Sequence, residues 1–127
     1  MIAGKILLID DDEDDQLIFK DALRETSVSY ECLIASNGLE GLHLLSQGTE
    51  LPAIIFLDLN MPIMNGVEFL TSIKQNPLYT HIPVIIFSTS NSPMDKQRLP
   101  KLGASRFITK SGDFTKLKES LAEILKD

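Results

Sequence analysis

The chain has 127 residues, 43% hydrophobic and 24% charged, with a net charge of −6 at neutral pH. These values fit one globular domain with its own core, and they exclude a disordered chain and nucleic-acid binding by simple charge attraction. One cysteine, Cys32, allows no internal disulfide and suits a reducing compartment.

In chain order, the first apolar run is "KILLI" at 5–9, a predicted strand. Six acids follow without a break, Asp10 to Asp15. Asp12 is placed to cap a helix over 13–26, and Glu13, Asp14 and Asp15 then fall in its first turn, where the helix dipole favours negative charge. Leu17, Ile18, Ala22 and Leu23 are that helix's predicted apolar face. A weaker strand signal, "SYECLIA" at 29–35, leads to a helix over 38–47 with Leu39, Leu42 and Leu45 on one face. Cys32 is expected to be buried in that strand. The run "AIIFL" at 53–57 precedes a turn around Pro62 and Gly66, then a helix over 66–75 carrying Val67, Leu70 and Ile73. After "VIIF" at 84–87, Ser92 reads as a helix cap with Pro93 at the first helical position. Pro100 interrupts that helix, which is therefore expected to be short or kinked, and Gly103 is a stop signal. The strand "RFIT" at 106–109 and a helix with Phe114, Leu117, Leu121, Ile124 and Leu125 on one stripe complete the chain.

The order is strand then helix, five times. The first three strong runs are continuous rather than alternating, as in strands buried on both faces. Together they predict an α/β fold with a parallel sheet and right-handed crossovers, in one domain spanning 1–127. No run approaches membrane-spanning length, and the N-terminus is too acidic after a short apolar part for a signal peptide. The expected setting is the cytoplasm.

Each strong run ends in a polar group: Asp10 and Asp11, then Asp58, Ser88 and Lys110. In a parallel sheet the strand carboxyl ends share one side, and open α/β sheets bind ligands there. Three carboxylates, a hydroxyl and an ammonium are therefore expected to converge. Two carboxylates roughly 5 Å apart repel by about 3 kcal/mol at an effective dielectric near 20, so a cation must join them. Lys110 supplies one positive charge, and a divalent ion would bring three carboxylates near neutrality. Hard oxygen ligands open to water suit magnesium; manganese also fits, and zinc does not, since no Cys or His has ligand spacing.

The blocks "ILLIDDD", "IIFLDLNMPIMNG", "PVIIFST" and "GASRFITK" together resemble the receiver domain of bacterial two-component response regulators, in order and spacing, over nearly the whole chain. The resemblance implies a flavodoxin-like, doubly wound sheet of five parallel strands in the order 2-1-3-4-5 with five helices. It implies a stand-alone regulator, similar to the chemotaxis regulator, with no output domain. It implies that Asp58 accepts a phosphoryl group from a sensor histidine kinase or phosphotransfer protein. Asp11 and Asp58, with the backbone carbonyl of Asn60, match the magnesium ligands, and Asp10 matches the second acidic residue, acting through a metal-bound water. Lys110 matches the lysine that pairs with the phosphoryl group. Ser88 matches the hydroxyl that moves toward it, and Phe107 the aromatic switch that follows. Implied partners are the kinase and a downstream protein target, with the chain a monomer or a phosphorylation-dependent dimer, and with neither nucleic acid nor membrane involved.

Three departures stand out. The family usually has Lys-Pro with a cis bond, but here Ser111 follows Lys110; a cis bond there would cost about 2.5–4 kcal/mol, so trans is expected. Asn65 replaces a common Asp before Gly66, and Pro100 sits in the fourth helix. His43 and His81, with no carboxylate or Cys partner nearby in sequence, read as surface or satisfied histidines rather than phosphodonors. A magnesium-dependent phosphatase or phosphotransferase with an aspartyl intermediate is the alternative, but such enzymes usually carry a second Asp where this chain has Asn60. A flavin carrier of similar topology is disfavoured, because "DDDEDD" would repel the flavin phosphate.

Overall fold

The computed structural model describes residues 4–126 except Val28, Thr49 and Asn91; the outermost ends of the expected 1–127 domain lie outside the described residues. Five strands alternate with five helices: β1 (Lys5–Ile9), α1 (Glu13–Arg24), β2 (Glu31–Ala35), α2 (Gly38–Gln47), β3 (Ile54–Leu57), α3 (Gly66–Lys74), β4 (Val84–Ser88), α4 (Pro93–Lys101), β5 (Arg106–Thr109) and α5 (Phe114–Leu125). All pairings are parallel, in the order β2-β1-β3-β4-β5.

The continuous apolar runs are explained by a sheet covered on both sides. Alternate residues point to opposite faces. Ile6, Leu8, Phe56, Ile85 and Phe87 meet Phe19, Ala22 and Leu23 of α1 and Leu117, Leu121 and Leu125 of α5. Leu7, Ile9, Ile55, Leu57, Val84 and Ile86 meet Leu45 of α2, Phe69, Leu70 and Ile73 of α3, and Leu99 of α4. Phe19 is fully buried, which stabilises the fold by about 2–3 kcal/mol, and its ring meets that of Phe56 edge-on at 4.9 Å.

Two predicted helix faces are corrected. The buried stripe of α1 is Phe19, Ala22 and Leu23, whereas Leu17 and Ile18 are 57% and 44% exposed. At 3.6 residues per turn Ile18 lies about 100° round from Phe19 and Leu17 about 200°, so neither can share its stripe fully. In α2 the inward stripe is Gly38, Gly41 and Leu45, and Leu39 is exposed. Cys32 is half-buried rather than buried, since β2 is an edge strand; desolvation still pushes its thiol up to about 11, which keeps it a poor thiolate.

The fourth helix is short, as expected, but it runs one residue past Pro100. Placed in the last turn, that proline removes little of the helix ladder. Gly103, at φ 112°, closes the end: its N–H donates to the Pro100 carbonyl at 3.1 Å, and the Ala104 N–H to the Leu99 carbonyl at 3.0 Å.

The start of α3 is pinned against the end of β3. Asn65 caps α3 and exchanges hydrogen bonds with Glu68, and the Gly66 N–H donates to the Leu59 carbonyl at 2.9 Å. A Cβ on Gly66 would collide with the Asp58 carbonyl oxygen and lie 2.8 Å from Leu59 Cα. All of these atoms are backbone, so no flexible side chain can give way. Gly66→Ala is therefore expected to lower stability by about 2 kcal/mol, read as a lower urea midpoint at unchanged slope. An unshifted midpoint would show that this junction is not rigid.

Candidate functional site

The sheet's carboxyl rim is built by backbone hydrogen bonds that continue the strand ladders. The Asp10 N–H donates to the Ala35 carbonyl at 3.0 Å, the Asp58 N–H to that of Ile9 at 2.9 Å, and the Lys110 N–H to that of Ser88 at 2.8 Å. Residues one step beyond β1, β3 and β5 are thereby set side by side with Ser88, the last residue of β4.

The predicted convergence is present. Carboxylate oxygens of Asp10, Asp11 and Asp58 all lie within 4.8 Å of one another. Asp10 and Asp58 are 0% and 7% exposed, whereas Asp11 faces solvent. The Lys110 ammonium sits 2.7 Å from Asp10 Oδ2 and 3.6 Å from Asp58 Oδ2, over the Phe87 ring at 5.1 Å. The Lys110–Ser111 bond is trans, since no peptide bond among the described residues is cis.

Each acid is held by a backbone amide as well. The Asp12 N–H donates to Asp10 Oδ1 at 3.0 Å, and the Leu59 N–H to Asp58 Oδ1 at 2.8 Å. Asp58 Oδ2 is left facing the pocket. Burial pushes both carboxyls above their ordinary value, against the pull of Lys110 and these amides. For Lys110, burial works downward but is outweighed by the bonds to Asp10 and Asp15, so its affinity for the proton is raised. The ammonium therefore stays charged. Ser88 is buried, and its Oγ accepts the Ser90 N–H at 3.2 Å.

Three acids from two strand ends, one of them open to water, form a donor set of hard oxygens around a negative excess. That chemistry fits a small divalent cation. Asn60, two residues beyond Asp58, is exposed at the same rim. Phe107 is half-buried on the α4 side, with the Lys96 ammonium 5.7 Å from its ring centroid. His43 and His81 are both exposed, and neither belongs to the acidic cluster.

One site residue escapes the reading of the sequence. Asp15, expected to be part of a solvated helix start, reaches Lys110 Nζ at 2.9 Å. The rest of that expectation stands: Asp12 caps α1, accepting the Asp14 and Asp15 N–H groups at 2.9 and 3.1 Å. Asp15 is the third residue of α1, where side chains lean back toward the helix start and hence toward the strand end behind it. That lean is the signal a sequence offers; the lysine it meets lies 95 positions away.

The family model described as "Response regulator receiver domain" matches residues 6–122. The response regulator Rcp1 of Synechocystis sp. is 34% identical over 111 residues, covering 84% of this chain and 76% of its own. Among solved structures, the phosphorylated cyanobacterial phytochrome response regulator RcpA superimposes with a TM-score of 0.86 at 32% identity, over 95% of this chain and 90% of that one. The Mn2+-bound form of Rcp1 gives 0.84 at 32%, over 95% and 91%.

The site's charge balance makes a prediction. Magnesium or manganese at a hundredfold excess over its dissociation constant adds about 2.7 kcal/mol of stability through one site. Asp58→Asn is expected to lose most of this gain, while the metal-free variant, freed of a carboxylate that burial disfavours, is more stable than the parent. Calorimetry with and without metal checks both. An equal metal effect in parent and variant would contradict a seat shared by Asp58.

Proposed function

The chain belongs to the response regulator receiver domain family of two-component signalling, and from that premise we propose that it accepts a phosphoryl group on Asp58 and signals by the change that follows. Receiver domains take that group from histidine kinases and act on downstream targets. The donor proposed here is a sensor histidine kinase or a phosphotransfer protein, and the setting the cytoplasm. Among the described residues no helix is long and apolar enough to cross a membrane.

One observation carries the assignment: Asp58 is an acid with one oxygen fixed by the Leu59 amide and the other turned into a pocket that holds a buried ammonium. An ionised carboxylate attacks phosphorus without needing a base. The bond formed joins Asp58 Oδ2 to phosphorus. The bond broken is the donor's N–P bond, whose electron pair leaves with the donor's imidazole nitrogen. Lys110 faces the equatorial oxygens as charge builds there, and Ser88 offers them its hydroxyl. Magnesium, held by Asp10, Asp11 and Asp58 with the Asn60 carbonyl, would supply the remaining charge neutralisation.

The new charge on Asp58 competes for the Ser88 hydroxyl. Movement of Ser88 opens room for Phe107 to follow, and α4 and β5 carry the change outward. A turnover phosphatase finds no support: the position two residues after Asp58 holds Asn60, which cannot act as a carboxylic acid or base. The family points to a signalling module instead.

The test is phosphoryl uptake from acetyl phosphate. The parent is expected to take up to one equivalent, only with magnesium or manganese present, and Asp58→Asn none above background. Full labelling of the variant would reject Asp58 as the acceptor. Steady release of many equivalents of phosphate per chain would favour the enzyme.

A further inference from the structure

Lys110 is shared by more acids than phosphoryl transfer requires. Its ammonium has three N–H donors. Asp10 takes one at 2.7 Å and Asp15 another at 2.9 Å, which leaves the ammonium 3.6 Å from Asp58 Oδ2. The two closer partners differ in one respect. The Asp10 side chain is 0% exposed, and losing the lysine would strand its buried charge. The Asp15 side chain is 31% exposed, so it can turn to water at little cost. Asp15 also belongs to α1, an element that supplies none of the other pocket acids.

We propose that Asp15 is a positioning residue that parks Lys110 away from Asp58 in the resting protein and must release it when a phosphoryl group arrives. The inference rests on Asp58 being the phosphoacceptor. A phosphoryl group turns one negative charge on Asp58 into nearly two at neutral pH. That charge draws the ammonium toward it, and Asp15 opposes the shift twice. It holds the lysine back by a charge-assisted hydrogen bond, and its own negative charge faces the incoming group. Asp15 therefore weakens the phosphorylated form relative to the resting one and keeps the resting pocket closed around its lysine.

The direction is opposite to that expected of a supporting residue. If Asp15 served only to preorganise Lys110 for catalysis, its loss would weaken phosphoryl binding. As a parking partner, its loss strengthens it.

The experiment measures affinity for beryllofluoride, a phosphoryl mimic, in excess magnesium, by NMR titration of the full chain. Asp15→Asn keeps the shape and the hydrogen-bonding capacity but removes the charge. It is expected to bind about two- to fivefold more tightly than the parent. Asp14→Asn removes the same charge from the same helix turn, but Asp14 is not among the ammonium's carboxylate partners; its affinity is expected to match the parent's. In a Lys110→Gln background, Asp15→Asn is expected to have no effect, because Asp15 acts through the lysine. Unchanged or weaker binding by Asp15→Asn overturns the proposal. So does an equal gain in Asp14→Asn, or a gain that persists without Lys110. A parent that binds no beryllofluoride overturns the phosphoacceptor reading itself, and the proposal with it.

Discussion

One ammonium, Lys110 Nζ, is held among carboxylates from β1, α1 and β3, and the rim of the sheet is organised around that contact. At 4 Å and an effective dielectric of 20, a pair of unit charges interacts by about 4 kcal/mol. Attraction to the lysine and repulsion among the acids are therefore of similar size, and neither is screened much in a half-buried pocket. The acids outnumber the lysine. The pocket's net charge remains negative, which suits it to recruit a cation. Burial is the main reason both inner carboxyls are pushed upward although a cation lies beside them, and repulsion from the neighbouring acids adds to it.

The scaffold's task is to hold this arrangement against its own repulsion. Parallel strands do so by placing their carboxyl ends along one side, and ladder hydrogen bonds carried one residue past β1, β3 and β5 fix the spacing. Gly66 brings the start of α3 onto the Asp58 backbone, so the end of β3 cannot slide. On the other flank the pocket connects to a helix by a chain of polar contacts. The Ser90 amide reaches Ser88 Oγ, the Ser90 hydroxyl donates to Asp95 Oδ2 at 2.7 Å, and Arg98 donates to Asp95 Oδ1 at 3.0 Å. Any displacement of Ser88 therefore pulls on the first turns of α4. Phe107 borders the same helix, beneath Lys96. A rigid acidic side and a side tied to a short helix together suit a module whose output is a change of shape rather than a released product.

Much of this was legible in the residues themselves. Continuous runs such as "VIIF" read as doubly buried strands because side chains on both faces must be apolar there, and each run's terminal polar residue then had one place to go. Caps were equally readable: Asp12, Ser92 and the Pro93 that follows it act locally, through bonds that span three residues or fewer. The failures have a different physical character. Leu17, Ile18 and Leu39 satisfy a helical spacing, yet spacing alone does not say which arc of the helix meets the sheet; Phe19 and the glycines of α2 decided that through size and close approach. Cys32 was placed too deep because edge position in a sheet is a property of strand order, not of the strand. Asp15 was taken for a solvated charge because its partner lies at the far end of the chain, where only the assembled sheet brings it near.

The most direct test of the shared rim is paramagnetic broadening by manganese, followed over the backbone amides at low metal occupancy. If Asp10, Asp11 and Asp58 hold the ion beside Lys110, signals of residues 10–12, 58–60 and 110 broaden first. Signals at the opposite end of the strands, such as Gly4 and Ser105, stay sharp. Broadening centred elsewhere on the protein, or spread evenly over its acidic surface, would contradict a single seat at the strand ends.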